Sequence, residues 1–267
     1  MRIGVGLPTS TPGHDRELLL RWAETADGLG FTSLGVVDRV LYDCWDALDA
    51  LTLAAGVTER ARLVTMILIG PLRETSELAR QAAELQARSG GRLVLGLGIG
   101  ARHDDYQARS VDPSRRGRVL SEQLAHLRMD ASSPPLLVGG GGGVAFFRAA
   151  RFADGYVHGG GPPRAFANAA ARARAAWCDA GRPGAPQLWG QGYFALGDAG
   201  RGADYLRDYY AFTGAFAEKV AAANLTTPQA IKDFARAYEE EGCDELVLFP
   251  TVSDLAQLER LAEAVAT

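Results

Sequence analysis

Strand-like and helix-like segments alternate eight times along this chain, and that alternation constrains its fold more than any other feature. Short runs rich in leucine and β-branched residues fall at Ile3–Leu7, Ser33–Val37, Leu63–Leu68, Leu93–Leu97, Leu136–Val138, Gly155–His158, Leu188–Ala195 and Glu245–Phe249. Most are continuously apolar, the pattern of parallel strands buried on both faces. A helical pattern follows each one: Asp15–Leu29, Asp46–Val57, Ser76–Ser89, Ser114–Arg128, Val144–Ala153, Pro163–Ala180, a pair of helices within Ala203–Glu241, and Ser253–Ala266. Strict alternation means a parallel sheet with crossover helices. A closed (β/α)8 barrel needs roughly 250 residues, and this chain has 267. The expectation is therefore an α/β fold, a (β/α)8 TIM barrel forming one domain over residues 1–267. A doubly wound open sheet is the alternative.

Charge and composition remove several classes of function. A formal net charge of −4 argues against nucleic acid as a partner, which requires a basic surface. Nearly all positive charge is arginine, with Lys219 and Lys232 the only lysines; this composition fits a GC-rich bacterial genome. The longest apolar runs, such as Leu63–Leu72, are too short to span a bilayer, and Met1–Leu7 reads as a strand rather than a targeting segment. Cys44, Cys178 and Cys243 are odd in number and widely spaced. Together these features predict a cytoplasmic protein with no membrane association. No CxxC pair or His/Cys cluster suggests a metal site.

In such a barrel the reacting groups stand on the loops that follow the strands. Five consecutive glycines, Gly139 to Gly143, lie between the fifth strand and its helix. Their backbone N–H groups can approach an anion, and the helix dipole adds to the attraction. A tight turn needing positive φ is the plainer reading, but it requires only one or two glycines. Gly159-Gly160-Gly161 occupy the adjacent rim loop and could reach the same anion or simply be flexible. Gly96, Gly98 and Gly100 alternate at the end of the fourth strand, where a flat ring could lie against bare backbone; small residues also help close barrels. His103, beside Asp104 and Asp105 in the polar loop Ala101–Pro113, could perform acid–base work, against the simpler reading of a solvated histidine. Arg115, Arg116 and Arg118 read as surface ion-pair formers. The aromatic segment from Tyr205 to Phe216 reads first as core packing and second as a lid. A phosphosugar enzyme would need a Lys or Glu base at a strand end, and none is there.

Several stretches resemble the bacterial luciferase-like superfamily: Thr58–Leu63, Pro71-Leu72-Arg73, Leu78–Ala83, Ser89–Gly100, Gly28–Phe31 leading to Asp38, Val138-Gly139-Gly140, Ala153-Asp154-Gly155 and Gly242–Pro250. The resemblance covers nearly the whole chain. It implies a flavin-type cofactor, FMN or the deazaflavin coenzyme F-420, with its ring over the barrel mouth and its phosphate at the glycines after the fifth and sixth strands. Position matching then gives Met66, Ile67, Gly98, Gly100, Gly139, Gly140, Gly141, His158 and Gly159 as cofactor-binding residues. It also implies a non-proline cis peptide at Met66–Ile67, beneath the central ring. Many relatives carry Asp-His after the second strand, where this chain has Asp38-Arg39. Arginine does not donate protons near neutral pH; Arg39 could instead bind an anion or the cofactor tail. The catalytic candidates are Asp38, Arg39 and His103. A second departure is the short link from Leu127 to Leu136, where relatives have a long insertion. A shortened cover suggests an open site, or one completed by a partner subunit, hence a homodimer, or by the Tyr205–Phe216 segment. The implied function is a monooxygenase using reduced FMN and O2 on a small organic substrate, supplied by a separate flavin reductase because no nicotinamide fingerprint is present. The alternatives are deazaflavin-dependent hydride transfer and a non-catalytic flavin-binding protein.

Overall fold

The computed structural model describes residues 1–130 and 132–266. Nine parallel strands form its sheet: β1 (Arg2–Gly6), β2 (Ser33–Val36), β3 (Arg62–Thr65), β4 (Leu68–Ile69), β5 (Leu93–Gly98), β6 (Leu136–Gly139), β7 (Gly155–Val157), β8 (Gln187–Phe194) and β9 (Glu245–Pro250). The order is β3-β2-β1-β9-β8-β7-β6-β5-β4, and β3 also pairs with β5. That last pairing, Leu63 with Leu93 and Val64 with Val94, closes the sheet. The result is an eight-stave (β/α)8 barrel in which β3 and β4 are two pieces of one stave; an open doubly wound sheet would have left two free edges.

The split stave corrects the expectation of one continuous strand from Leu63 to Leu68. The peptide between Met66 and Ile67 is cis, and regular pairing lapses there. The Thr65 hydroxyl fills the gap: its Oγ1 donates to the Gly96 carbonyl at 2.7 Å and accepts from the Gly96 N–H at 2.9 Å. Pairing resumes with Leu68 opposite Leu97 and Ile69 opposite Gly98.

The crossover helices are α1 (Arg16–Gly28), α2 (Ala47–Ala55), α3 (Thr75–Arg88), α4 (His103–Ala108), α5 (Arg116–Met129), α6 (Gly143–Phe152), α7 (Pro163–Asp179), α8 (Ala199–Tyr209), α9 (Phe216–Ala222), α10 (Pro228–Glu240) and α11 (Ala256–Val265). Local chemistry starts several of them. Asp15 caps α1 by accepting from Leu18 N at 2.8 Å, and Asp46 caps α2 by accepting from Leu48 N at 2.9 Å. Thr227 caps α10, accepting from Ala230 N at 3.1 Å. Such caps satisfy N–H groups that have no partner within the helix. Two expectations differ from the structure. The presumed loop Ala101–Pro113 contains α4, and the presumed helix pair after β8 is three helices, the first beginning at Ala199. Both departures lie on the rim, where packing against the barrel outweighs a weak periodic signal.

The core has two parts. Leucines and alanines on the outer faces of the strands pack beneath the helices. Val64, Met66, Val94, Leu137, Val157, Trp189, Val247 and Phe249 form a second cluster. The end of the barrel opposite the rim loops is tied by the fully buried Glu245, which accepts from Arg2 Nε at 2.9 Å and from Thr32 Oγ1 at 2.9 Å, and pairs with Arg62. Arg62 also lies 4.6 Å from the centre of the Trp189 ring. Among the described residues no helix is long and apolar enough to cross a membrane.

Candidate active site

A cleft of about 810 Å³ opens at the C-terminal ends of the strands, within the size range of small-molecule sites. Asp38, Arg39, Met66, Ile67, Gly100, Gly139, Gly140, Gly141, His158 and Gly159 all line it, so the fold gathers ten of the twelve sequence-derived site residues into one place. Gly98 and His103 are the other two. A Cβ at Gly98 would stand 1.9 Å from Ile67 Cδ1, so this glycine makes room for the Ile67 side chain rather than for a ligand ring. His103 opens α4 as an exposed residue outside the lining, while Arg102 and Asp105, its near neighbours, face the cleft.

The shelf at Met66–Ile67 is held from two sides. A Cβ at Gly139 would approach Ile67 Cδ1 to 2.8 Å, so the ends of β5 and β6 are both bare where this side chain rests. On the other side Asp38, at the end of β2, accepts the N–H of Ile69 at 2.8 Å and Arg73 Nη2 at 3.0 Å. Arg73 also bonds Asp46 at 2.8 Å. Burial pushes the Asp38 carboxyl above its ordinary range, against the pull of Arg73. With both oxygens engaged, Asp38 anchors the strand that resumes after the cis bond.

At the β6 end, Gly140 has a φ of 137° and its carbonyl accepts from Tyr156 Oη at 2.8 Å. Gly141 and Gly142 are different: neither has positive φ, and a Cβ on either would meet nothing within 4 Å. Backbone geometry does not require glycine there, and both positions border the cleft. Among the described residues no side chain caps α6, which begins immediately afterwards; Val144 and Ala145 of its first turn line the cleft. Two arginines stand on this side. Arg148 is tied to Ser121 Oγ at 2.9 Å and to the Gly117 carbonyl at 2.7 Å. Arg116 lies 5.8 Å from the Tyr106 ring centre, and its Nη1 is buried with no hydrogen-bond partner among the described residues. Bare backbone, an uncapped helix start and an unpaired guanidinium N–H together fit a phosphate-sized anion. His158 and Gln191 border the next stave. Burial lowers the His158 pKa, and its Nδ1 has no partner; Gln191 Nε2 donates to the Gly159 carbonyl at 3.1 Å, leaving its Oε1 unpaired.

Tyr193, Tyr209, Tyr210 and Phe212 form the opposite wall. The Tyr193 and Tyr210 hydroxyls are 2.7 Å apart, Ser10 Oγ and Tyr205 Oη are also 2.7 Å apart, and Tyr42 Oη donates to Asp208 at 2.6 Å. The aromatic segment therefore packs and covers at once: Tyr205 and Tyr209 are buried, whereas Phe212 remains partly exposed above the cleft. Cys44 adjoins this wall. Its thiol is pushed up to about 12 by burial and by the Asp38 charge, and so stays protonated and unreactive near neutral pH.

Sequence reasoning placed Arg102 and Asp105 on the rim without giving them a role, and missed Arg116, Arg148 and Gln191 as lining residues. Arg116 stood among arginines read as surface ion-pair formers, a description that fits only Arg118, 3.6 Å from Glu122 one turn along the helix. The available signal was position: Arg102 and Arg116 flank the rim loop after β5.

Fold and cleft define a (β/α)8 barrel with an aromatic-walled cleft, lined by glycines and arginines on its other side, at the C-terminal mouth. The chain resembles the luciferase-like family: the family model described as luciferase-like monooxygenase matches residues 1–133. An uncharacterized protein of Mycobacterium tuberculosis is 32% identical over 187 residues, covering 53% of this chain and 65% of that relative. The chain thus spans less than two thirds, 65%, of the length of the curated relatives it first matches. Two solved structures share the fold across its full extent. Monooxygenase RslO1 from Streptomyces bottropensis superposes with a TM-score of 0.77 at 19% identity, covering 99% of this chain and 98% of that one. An F420-dependent secondary alcohol dehydrogenase, solved with an F420-acetone adduct, superposes with a TM-score of 0.82 at 16% identity, covering 100% and 99%.

Proposed function

We propose that this protein is a flavin-dependent oxidoreductase that uses reduced FMN and O2 to oxygenate a small organic substrate. The observation carrying this reading is the alignment, within one cleft, of the Met66–Ile67 shelf with the open glycines Gly141 and Gly142 and the unpaired Nη1 of Arg116. A flat ring would rest on the shelf, and its phosphate would be held by the glycines and the start of α6. Bound there, reduced flavin supplies the redox chemistry; the protein supplies placement and electrostatics. Asp38 keeps the shelf in place through Ile69. Arg116 and Arg148 neutralise the phosphate, and Tyr193, Tyr209, Tyr210 and Phe212 shield the ring edge from water. A separate reductase delivers the reduced cofactor, and pairing of two copies would complete the cover over the short 127–136 link, in which Ala131 lies outside the described residues.

Hydride transfer with coenzyme F-420 is the second reading, supported by the same shelf and glycines. Arg39 disfavours it, because a guanidinium cannot take the proton-transfer part of the histidine usual at this position. Titrating the protein separately with FMN and F-420, with fluorescence quenching as the readout, separates the two; binding of neither overturns both. Product formation from reduced FMN and O2 across a substrate panel then distinguishes an enzyme from a non-catalytic flavin carrier.

A further inference from the structure

Arg39 presents an unused pair of donors at the end of the cleft away from the phosphate site. Its side chain is only 6% exposed. Nε donates to Asp105 Oδ2 at 3.3 Å, while Nη1 and Nη2 have no hydrogen-bond partner among the described residues. Asp105 is largely committed elsewhere: its Oδ1 accepts from the N–H groups of Val40 at 3.1 Å and Leu41 at 3.0 Å. The guanidinium carbon lies 4.9 Å from the Tyr209 ring centre, 5.3 Å from that of Tyr42 and 5.9 Å from that of Phe212. Aromatic faces attract a cation but do not replace hydrogen bonds to two N–H-bearing nitrogens. Buried donors of this kind are normally paired.

The topology places these donors beyond the reach expected of the cofactor phosphate. Arg39 follows β2, the shelf joins β3 to β4, and the glycine loop follows β6, so the shelf lies between Arg39 and the glycines. A ring on the shelf with its phosphate at Gly141 and Gly142 leaves Arg39 facing whatever lies on the other side. Four arginines and two aspartates line the cleft, which makes it a positive pocket on a protein of net charge −4. Local charge of that sign steers anions inward.

We propose that Arg39 receives a carboxylate of the substrate, so that this site acts on planar organic acids. A guanidinium fork matches the two oxygens of a carboxylate, and Tyr42, Tyr209 and Phe212 form aromatic walls for the flat body attached to it. Phe212 is the exposed part of that wall. It lies 4.5 Å from the guanidinium carbon of Arg102 and precedes Gly214, whose φ is 60°. The inference rests on the flavin reading of the cleft for its placement of substrate opposite the phosphate.

The test titrates the protein, with and without saturating FMN, with 2-naphthoate, benzoate and octanoate, each beside its neutral amide. Carboxylates should bind about ten- to a hundredfold more tightly than amides, as expected for charge-assisted bonds, and naphthoate should show the largest preference. Arg39→Gln should abolish the preference and leave FMN affinity unchanged; Arg39→Lys, which keeps the charge without the fork, should recover part of it. If Arg39→Gln does not fold, the loss in Arg39→Lys carries the comparison. Equal binding of acids and amides by the unaltered protein overturns the proposal, as does a preference that survives both substitutions. Failure of FMN and F-420 to bind would instead overturn the cofactor reading, and the naphthoate titration without FMN would still report on Arg39.

Discussion

Asp38 and Asp105 are two buried carboxylates of the cleft with different duties. Asp38 holds the backbone of Ile69 and the side chain of Arg73, whereas Asp105 ties α4 to the loop after β2 and orients Arg39. Removing Asp38 strands the buried Ile69 N–H but leaves Arg73 its bond to Asp46, so the cost is that of an unmet buried donor, about 1–3 kcal/mol. Asp38→Ala should lose stability in that range in urea unfolding, and should weaken FMN binding more than Asp104→Ala, which removes the ion pair with Arg102 and the bond from the Asp105 N–H. His158 gives a pH dependence of definite sign. Burial holds its folded pKa below the ordinary value, so the unfolded chain takes up a proton near pH 6.5 while the folded protein does not. Its contribution is complete above about pH 6.5 and is lost as pH falls from there towards the lower folded value. Urea midpoints at pH 7.5 and 5.5 should therefore differ less in His158→Asn than in the unaltered protein. An equal or larger difference in the variant would remove His158 as the cause.

Among the elements, the ends of β5 and β6 serve two purposes with one residue type. Gly98 is required by the protein: an added methyl meets Ile67 Cδ1 at 1.9 Å. Gly141 is not, since an added methyl there enters open cleft. The pair makes a discriminating prediction. Gly98→Ala should destabilise the protein by about 1–3 kcal/mol through overpacking and displace the shelf. Gly141→Ala should leave stability within about 0.5 kcal/mol and still reduce FMN affinity, because the methyl occupies the approach to the backbone N–H groups. Thermal melts alongside cofactor titrations read both effects. Loss of stability in Gly141→Ala with affinity unchanged would reverse the assignment.

For the whole molecule, the two ends of the barrel divide stability from binding. Glu245 binds Arg2, Thr32 and Arg62 at the closed end, far along the chain and across the barrel from the rim loops. Glu245→Ala should cost about 3 kcal/mol in urea unfolding and leave cofactor affinity intact in the protein that remains folded. At the open end, a ligand that binds only the folded state stabilises it by mass action, about 2.7 kcal/mol at a hundredfold excess over Kd. For a chain of this size that corresponds to a rise of roughly 5–10 °C in Tm. FMN should produce such a shift, and the shift should shrink in Gly141→Ala.

Sequence periodicity by itself determined the alternation and the parallel sheet, because continuous apolar strands separated by amphipathic helices bury themselves in few other ways; length favoured a barrel over an open sheet, and the β3–β5 pairing decided closure. Glycine content marked the β6 loop, since five glycines exceed what a turn requires, and motif resemblance located the shelf at Met66–Ile67. Tertiary structure alone decided which polar side chains face the cleft. Arg116 turns inward and Arg118 outward from the same helical turn, Arg102 lines the site while His103 does not, and the Tyr209–Phe212 segment both packs and covers. These choices depend on the angle at which each rim helix docks on the barrel. That angle is set by contacts between residues distant in the chain, and local sequence carries almost no record of it.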